Sequence, residues 1–212
     1  MTESTKRRRE ILDAAAELFA RKGVGATTIR EIADRVGVVA GALYHHFPSK
    51  RAIVDELVTG YLEGLHERYR SIETRNLTPR ARLQAIVDAS LDAAHEDPHA
   101  TAVYQDEFPH LREEANLSRA SELADAVQRP WLDAIEDGKR QGAFRDDLPA
   151  GVFHRFIRDC VWLSIRWHHA DDSYPTARLA EDCVSIFLDG FAVDHRCSHA
   201  DSLPATSPSV AA

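Results

Sequence analysis

The chain has 212 residues, of which 44% are hydrophobic, and three cysteines, Cys160, Cys183 and Cys197; this suits one sizeable globular domain or two small ones. No apolar run approaches the roughly 18 to 20 residues of a membrane span, no apolar leader opens the chain, and an odd cysteine count without CxxC spacing argues against a disulfide framework, so a soluble, cytoplasmic protein with reduced thiols is expected. The formal charge of −8 speaks against nucleic acid only until its distribution is considered: residues 1–52 hold ten Lys/Arg against six acids, a net of +4 that leaves −12 for the remainder, and a basic head on an acidic body is the asymmetry of a protein that meets a polyanion at one end.

Residues 1–9 end in the basic run Lys6-Arg7-Arg8-Arg9, which reads either as a solvated leader or as an arm that reaches phosphates or a minor groove. Ile11, Leu12, Ala15, Leu18 and Phe19 predict a helix over 9–22, stopped by Gly23 and Gly25. Thr27 or Thr28 caps a second helix, with Glu31 near its positive dipole end and Ile29, Ile32, Ala33 and Val36 on its inner face. Gly37 permits a sharp turn in the left-handed conformation. A short third helix over 40–47 turns Leu43 and Phe47 toward the core, with the outward positions among Tyr44, His45 and His46, while Gly41 and Ala42 leave the backbone open to close approach. Pro48-Ser49 ends it and caps the next helix. Two short amphipathic helices around a glycine are the minimum geometry for laying a helix in a DNA groove, and the chain looks organised around 27–50.

A long helix over 50–72 leaves this head, carrying Ile53, Val54, Leu57, Val58, Tyr61, Leu62, Leu65 and Tyr69 at helical spacing. Gly60 and Gly64 lie inside it, each costing about 1 kcal/mol relative to alanine, and read as marks of close packing or a bend. Thr78-Pro79 opens a helix that Asp97-Pro98 breaks. Shorter helical segments are expected over 100–108 and 111–115, then a long pattern over 118–142 with a kink or break at Pro130. Two more helices follow: 150–168, with Val152, Phe153, Phe156, Ile157, Cys160, Val161, Ser164 and Trp167 along a broad face, and 176–193; Asp171-Asp172-Ser173 between them reads as loop. The Ser/Pro/Ala-rich residues 195–212 lack the apolar content to fold. With no strand alternation and no repeat, the expected fold is all-α: a three-helix helix-turn-helix head over 1–50 and a helical body over 51–194.

The run TTIREIADRVGV and then GALYHHFPSK, with Gly37, Gly41, Leu43, Tyr44, Phe47 and Lys50 in place, resembles the DNA-binding signature of TetR-type one-component repressors. The resemblance covers about the first fifty residues. It implies a helix-turn-helix head on an all-α ligand-binding body that dimerises through its last two helices. The chain departs at Val39, where the family often has a serine or threonine capping the recognition helix. In the body, VYQDE (103–107) and FIRDCVWLSIRW (156–167) resemble the actinobacterial ketosteroid-responsive branch of that family, whose members are relieved from DNA by a CoA thioester of a steroid ring remnant. This implies ligand-binding positions at Arg158 and Trp162. Spaced i, i+4, the two share one helix face and offer a guanidinium for phosphate or carbonyl and an indole for a ring system; on a dimerising helix they also read as interface anchors.

The expected protein is a homodimeric repressor whose recognition helices meet successive major grooves of a palindromic double-stranded operator, and which a small-molecule inducer, a CoA thioester from steroid ring catabolism, releases. Tyr44, His45, Lys50 and the helix N-terminus at Thr28 would hold phosphates; Val39, Ala40 and Gly41 would lie nearest base edges, reading thymine methyls and DNA shape. Two other readings stay open: a TetR-type regulator of drug efflux or another lipid pathway, and an acyl-CoA-binding protein without a DNA role. His95 and His99 are separated by Pro98 and His195, Cys197 and His199 lie in the tail, so no metal site is expected. No nucleophile elbow or phosphate-cradling glycine loop occurs, so neither catalysis nor a cofactor is expected.

Overall fold

The computed structural model describes residues 3–113, 118–169, 171 and 173–190. Within them lie nine α-helices and no strand: α1 (Glu3–Lys22), α2 (Ile29–Arg35), α3 (Ala40–Leu43), α4 (Lys50–Glu73), α5 (Pro79–Glu96), α6 (Pro98–Glu113), α7 (Ser118–Arg140), α8 (Ala150–Leu163) and α9 (Thr176–Asp189). Helices α1 to α3 form the head. α4 runs from it into the body, where it packs along α5, α6 and α7, while α8 and α9 lie against α5 and each other. The apolar spacing of the sequence becomes one continuous core, from Ile11, Phe19, Ile32, Leu43 and Phe47 in the head through Val58, Leu62 and Tyr69 to Leu83, Trp131 and Ile157.

Local chemistry sets several boundaries. Thr28 caps α2 in a capping box: its hydroxyl accepts from the Glu31 amide at 3.2 Å, and the Glu31 carboxylate accepts from the Thr28 amide at 2.8 Å. Thr28→Ala is expected to cost about 1 kcal/mol, read as a thermal midpoint lower by about 2–4 °C; an unchanged midpoint would deny the cap its role. Gly37 takes φ +71° at the turn, as its position demanded. Ser49 caps α4 through the Ala52 amide, and Thr78 caps α5 with Pro79 in the first turn. Val39 opens α3 without a side-chain cap.

Other expectations are corrected. The basic run 6–9 is neither leader nor arm but part of α1, because its side chains find partners in the head: Arg7 donates to the Val36 carbonyl, and Arg8 is held by Glu56 and the His46 carbonyl. α3 is shorter than 40–47, the chain continuing as turns to Phe47. Asp97-Pro98 does end α5, but the two short segments expected over 100–108 and 111–115 are a single helix, α6, in which Pro98 stands first, where its missing N–H goes unused. Residues 114–117 lie outside the described residues. α7 runs through Pro130 unbroken, with Pro130 and Trp131 both buried. Gly60 and Gly64 are exposed, and a Cβ at either would meet nothing within 4 Å, so they do not mark close packing.

The broad face expected on 150–168 divides in two. Ile157, Val161, Trp162 and Ser164 point into the core, whereas Val152, Phe156, Leu163 and Trp167 lie on the surface, Phe156 and Trp167 more than half exposed. The helix ends at Leu163 and tightens into a 3-10 turn over Ser164–Arg166. Asp171 organises the following loop by accepting from the Ser173 and Tyr174 amides; Asp172 is outside the described residues. α9 stops at Asp189, followed by Gly190 at φ +82°. The expected extension to 193, the tail 195–212, Cys197 and the His195/His199 cluster all fall outside the described residues. Cys160, exposed on α8, and Cys183, buried on α9, are free thiols.

Candidate DNA-binding and effector sites

The head presents Thr28, Val39, Gly41, Tyr44 and His45 as exposed residues, with Ala40 half-buried beside Val39. Val39 is 75% exposed. α3 carries no hydrogen-bonding side chain at its start, and an added Cβ at Gly41 would meet open space. Leu43 and Phe47 anchor this segment from below, both fully buried.

Charged groups brace the head from within. Lys22 pairs with the Glu31 carboxylate. That contact first, and then the Thr28 amide and hydroxyl, hold Glu31 down at about 2, so the capping carboxylate stays ionised across the useful pH range. Arg8 lies over the Phe47 ring with its guanidinium 4.1 Å from the centroid, donates to the His46 carbonyl, and forks onto Glu56 of α4. Lys50 is engaged as well: its ammonium donates to the carbonyls of Val24 at 2.5 Å and Thr27 at 2.7 Å, closing the loop that leads into α2. The sequence singled out Lys50 as a phosphate ligand and gave no sign of this second set of acceptors.

In the body, Arg158 and Trp162 are brought together with residues that neither spacing nor composition could associate with them. A chamber of about 320 Å³ is lined by both, with Tyr104, Gln105, Asp159, Leu163 and Arg166. A smaller one of about 80 Å³ shares Tyr104, Arg158 and Trp162 and is otherwise lined by α7 residues and His154. Trp162 is buried, so it is not among the exposed apolar residues of α8. Its ring packs at 4.9 Å from Tyr104 and edge-on at 5.9 Å from Tyr61 of α4. Gln105 fixes the wall by donating to the Trp162 carbonyl at 2.6 Å. The Trp162 indole N–H is fully buried with no hydrogen-bond partner, and so is the Gln105 carbonyl oxygen; such groups are costly to leave unmade. Arg158 and Arg166 stand one turn to either side of Trp162, paired with Asp159 and Asp106. Tyr104, Gln105 and Arg166 were missed as site residues, although the first two lie in the quoted run VYQDE.

Below the chamber, Trp131 donates to the Tyr69 hydroxyl at 3.3 Å, which contacts Ser90 Oγ at 2.6 Å. This buried chain ties α7, α4 and α5. Burial pushes the Tyr69 hydroxyl up to about 12, so it stays protonated and available as a donor.

A head of this kind under a helical body is found in known proteins. Residues 11–57 match the bacterial regulatory proteins of the tetR family, and residues 76–191 the tetracyclin repressor-like C-terminal domain. The chain belongs to the TetR family and is a transcriptional regulator, which sets aside an enzyme or an acyl-CoA-binding protein without a DNA role. Within the family it is similar to the HTH-type transcriptional repressor KstR2 of Rhodococcus jostii, at 41% identity over 89% of this chain and 93% of that one. The KstR2 repressor of Mycobacterium tuberculosis is 38% identical over 87% and 92%. A solved structure described as the ketosteroid transcriptional regulator KstR2 of Mycobacterium tuberculosis superposes with a TM-score of 0.80 at 36% identity, covering 92% of this chain and 98% of that one. The chain is thus a TetR-family transcriptional repressor that is similar to KstR2. No helix among the described residues is long and apolar enough to cross a membrane.

Proposed function

We propose that this repressor binds a palindromic operator as a homodimer and is released by a CoA thioester derived from steroid ring catabolism. The division into a DNA-binding head over 1–50 and a ligand-binding and dimerisation body over 51–194 belongs to this reading. The observation that carries it is the chamber where Arg158 and Trp162 meet, with an unpartnered indole N–H and a second guanidinium at Arg166. A guanidinium suits the phosphates or the thioester carbonyl of such a ligand, and the aromatic wall suits an alicyclic body.

The homodimer reading draws on the apolar surface of α8 and α9, where Val152, Phe156, Leu163, Trp167 and Ile186 are exposed in a single protomer. In the head, Thr28, Tyr44, His45 and Lys50 take phosphates, and Val39, Ala40 and Gly41 approach base edges through apolar contact. Release follows from coupling. Tyr61 of α4 touches Trp162, so a ligand that resets the indole acts on the helix that carries the head.

A mobility shift on the protein's own upstream DNA, over a salt series, tests the reading. CoA thioesters are expected to release the complex, whereas free acids and cationic drugs leave it intact; release by cationic drugs would replace it with the efflux reading. Lys50→Ala is expected to weaken binding to operator and unrelated DNA alike and to flatten the salt slope by about one unit. A loss confined to the operator would contradict the phosphate role.

A further inference from the structure

α3 is poorly equipped to hold its own direction. It is four residues long, has no side-chain cap at Val39 and carries a glycine at its second position, and a helix of one turn is unstable in isolation. Burial of Leu43 and Phe47 sets its depth, but apolar contact is non-directional. Two adjacent residues of α1 supply the directional bonds. Arg7 donates to the Val36 carbonyl at 3.3 Å, at the end of α2 and just before the Gly37 turn. Arg8 donates to the His46 carbonyl, in the turns that follow α3. The segment between them, which presents Val39, Ala40 and Gly41, is thus held at both ends. Arg8 is itself aimed from α4: its Nε donates to Glu56 Oε1 at 2.8 Å and its Nη2 to Glu56 Oε2, while the guanidinium carbon lies 4.1 Å from the Phe47 ring centroid. Lys6 and Arg9 of the same basic run are exposed, whereas Arg7, Arg8 and Glu56 are half-buried.

We propose that Arg8, aimed by Glu56, is a positioning residue for operator recognition: through the His46 carbonyl and the Phe47 ring it sets the angle at which α3 meets DNA, and it is not itself a phosphate ligand. It rests on the α3 segment meeting the operator, as proposed above, and not on any effector. The two roles open to this cation, positioning residue or phosphate ligand, have consequences of opposite sign. Glu56 is an acid in a head that meets a polyanion, so electrostatics alone predicts tighter DNA binding when its charge is removed. As the group that aims Arg8, its loss frees the turn after α3 and weakens recognition. Lysine in place of Arg8 keeps a cation but loses the two-pronged bond and the planar stack on Phe47. A phosphate contact tolerates that change; a positioning residue does not.

The test uses an operator selected from random duplexes with the full parent chain, and an unrelated duplex of equal length, each titrated over a salt series. Glu56→Gln and Arg8→Lys are each expected to weaken operator binding about tenfold, to leave the unrelated duplex within about twofold and to leave the salt slope unchanged. The double variant is expected to lose no more than either single one, because both break the same fork. Arg8 as a phosphate ligand gives another pattern: Arg8→Lys close to the parent, Arg8→Met weaker on both duplexes with the slope lower by about one unit, and Glu56→Gln tighter on both. That pattern, unchanged operator binding in Glu56→Gln, or additive losses in the double variant overturns the proposal. Should circular dichroism show that Arg8→Lys fails to fold, Glu56→Gln decides alone. The placement of α3 at base edges is tested separately by Val39→Ala on single-base operator variants: an unchanged base preference overturns that placement, whatever the Arg8 and Glu56 variants show.

Discussion

Arg158→Met is expected to retard operator DNA at the same protein concentration as the parent chain and to resist release by acyl-CoA. The guanidinium lines both chambers and is half-buried on α8, far in sequence from the head. Among the described residues its one ion-pair partner is the neighbouring Asp159, an exposed pair whose loss costs the fold little. Methionine keeps most of the stem and removes the charge. A charge-assisted contact to the ligand is worth about 1.5–3 kcal/mol, so effector affinity is expected to fall by about ten- to a hundredfold, moving the concentration needed for release by the same factor. Calorimetry for binding and the mobility shift for release should agree. Unchanged release would take Arg158 out of the effector site, and a parallel loss of operator affinity would mark it as structural.

Trp131→Ala carries the largest expected cost to stability. The side chain is 1% exposed, contacts Tyr69 and His154 edge-on or tilted, and donates its indole N–H to the Tyr69 hydroxyl. Truncating a buried tryptophan typically costs about 3–5 kcal/mol. For a chain of this length that corresponds to a midpoint lower by about 6–20 °C at fixed protein concentration, followed by circular dichroism. Trp167→Ala is the comparison: that ring is 60% exposed in the protomer, and its loss is expected to act through dimer dissociation, with a midpoint that depends on protein concentration. A shift below about 3 °C in Trp131→Ala would show that the neighbouring helices close the gap.

What could be read from the sequence was mostly local. The Thr28 cap, the turn at Gly37, the Ser49 and Thr78 caps and the inward pair Leu43 and Phe47 each depend on residues within one or two turns, and all appear as expected. The Lys6–Arg9 run misled because the partners of Arg8 lie 38 and 48 residues away, and without them four cations look unburiable. The two faces of α8 could not be told apart because both are apolar; only packing against α5 and α7 shows which one the protomer covers. The resemblance singled out Arg158 and Trp162, but the chambers around them are made by α6, α7 and α8 converging, so Gln105, Gln128 and His154 carried no signal of their own. Asp97-Pro98 reads as the end of α5, and so it is; that Pro98 also opens one helix rather than two short segments depends on packing of α6 against α1 and α4.

The Arg8 fork sets how far the recognition segment travels. It joins α1, the turn after α3 and the second turn of α4, so the head turns with α4. That helix has 24 residues and is therefore about 36 Å long. Tilting it by about 5° about its far end swings the head by roughly 3 Å, close to the 3.4 Å rise of one base pair. In a two-fold dimer the displacements oppose each other, so the gap between recognition segments changes by about two base-pair steps, which also turns the facing groove through a large angle. On the effector site and dimer proposed above, a side-chain rearrangement at Trp162 would thereby be converted into a loss of helical phase between half-sites, with no unfolding of the head.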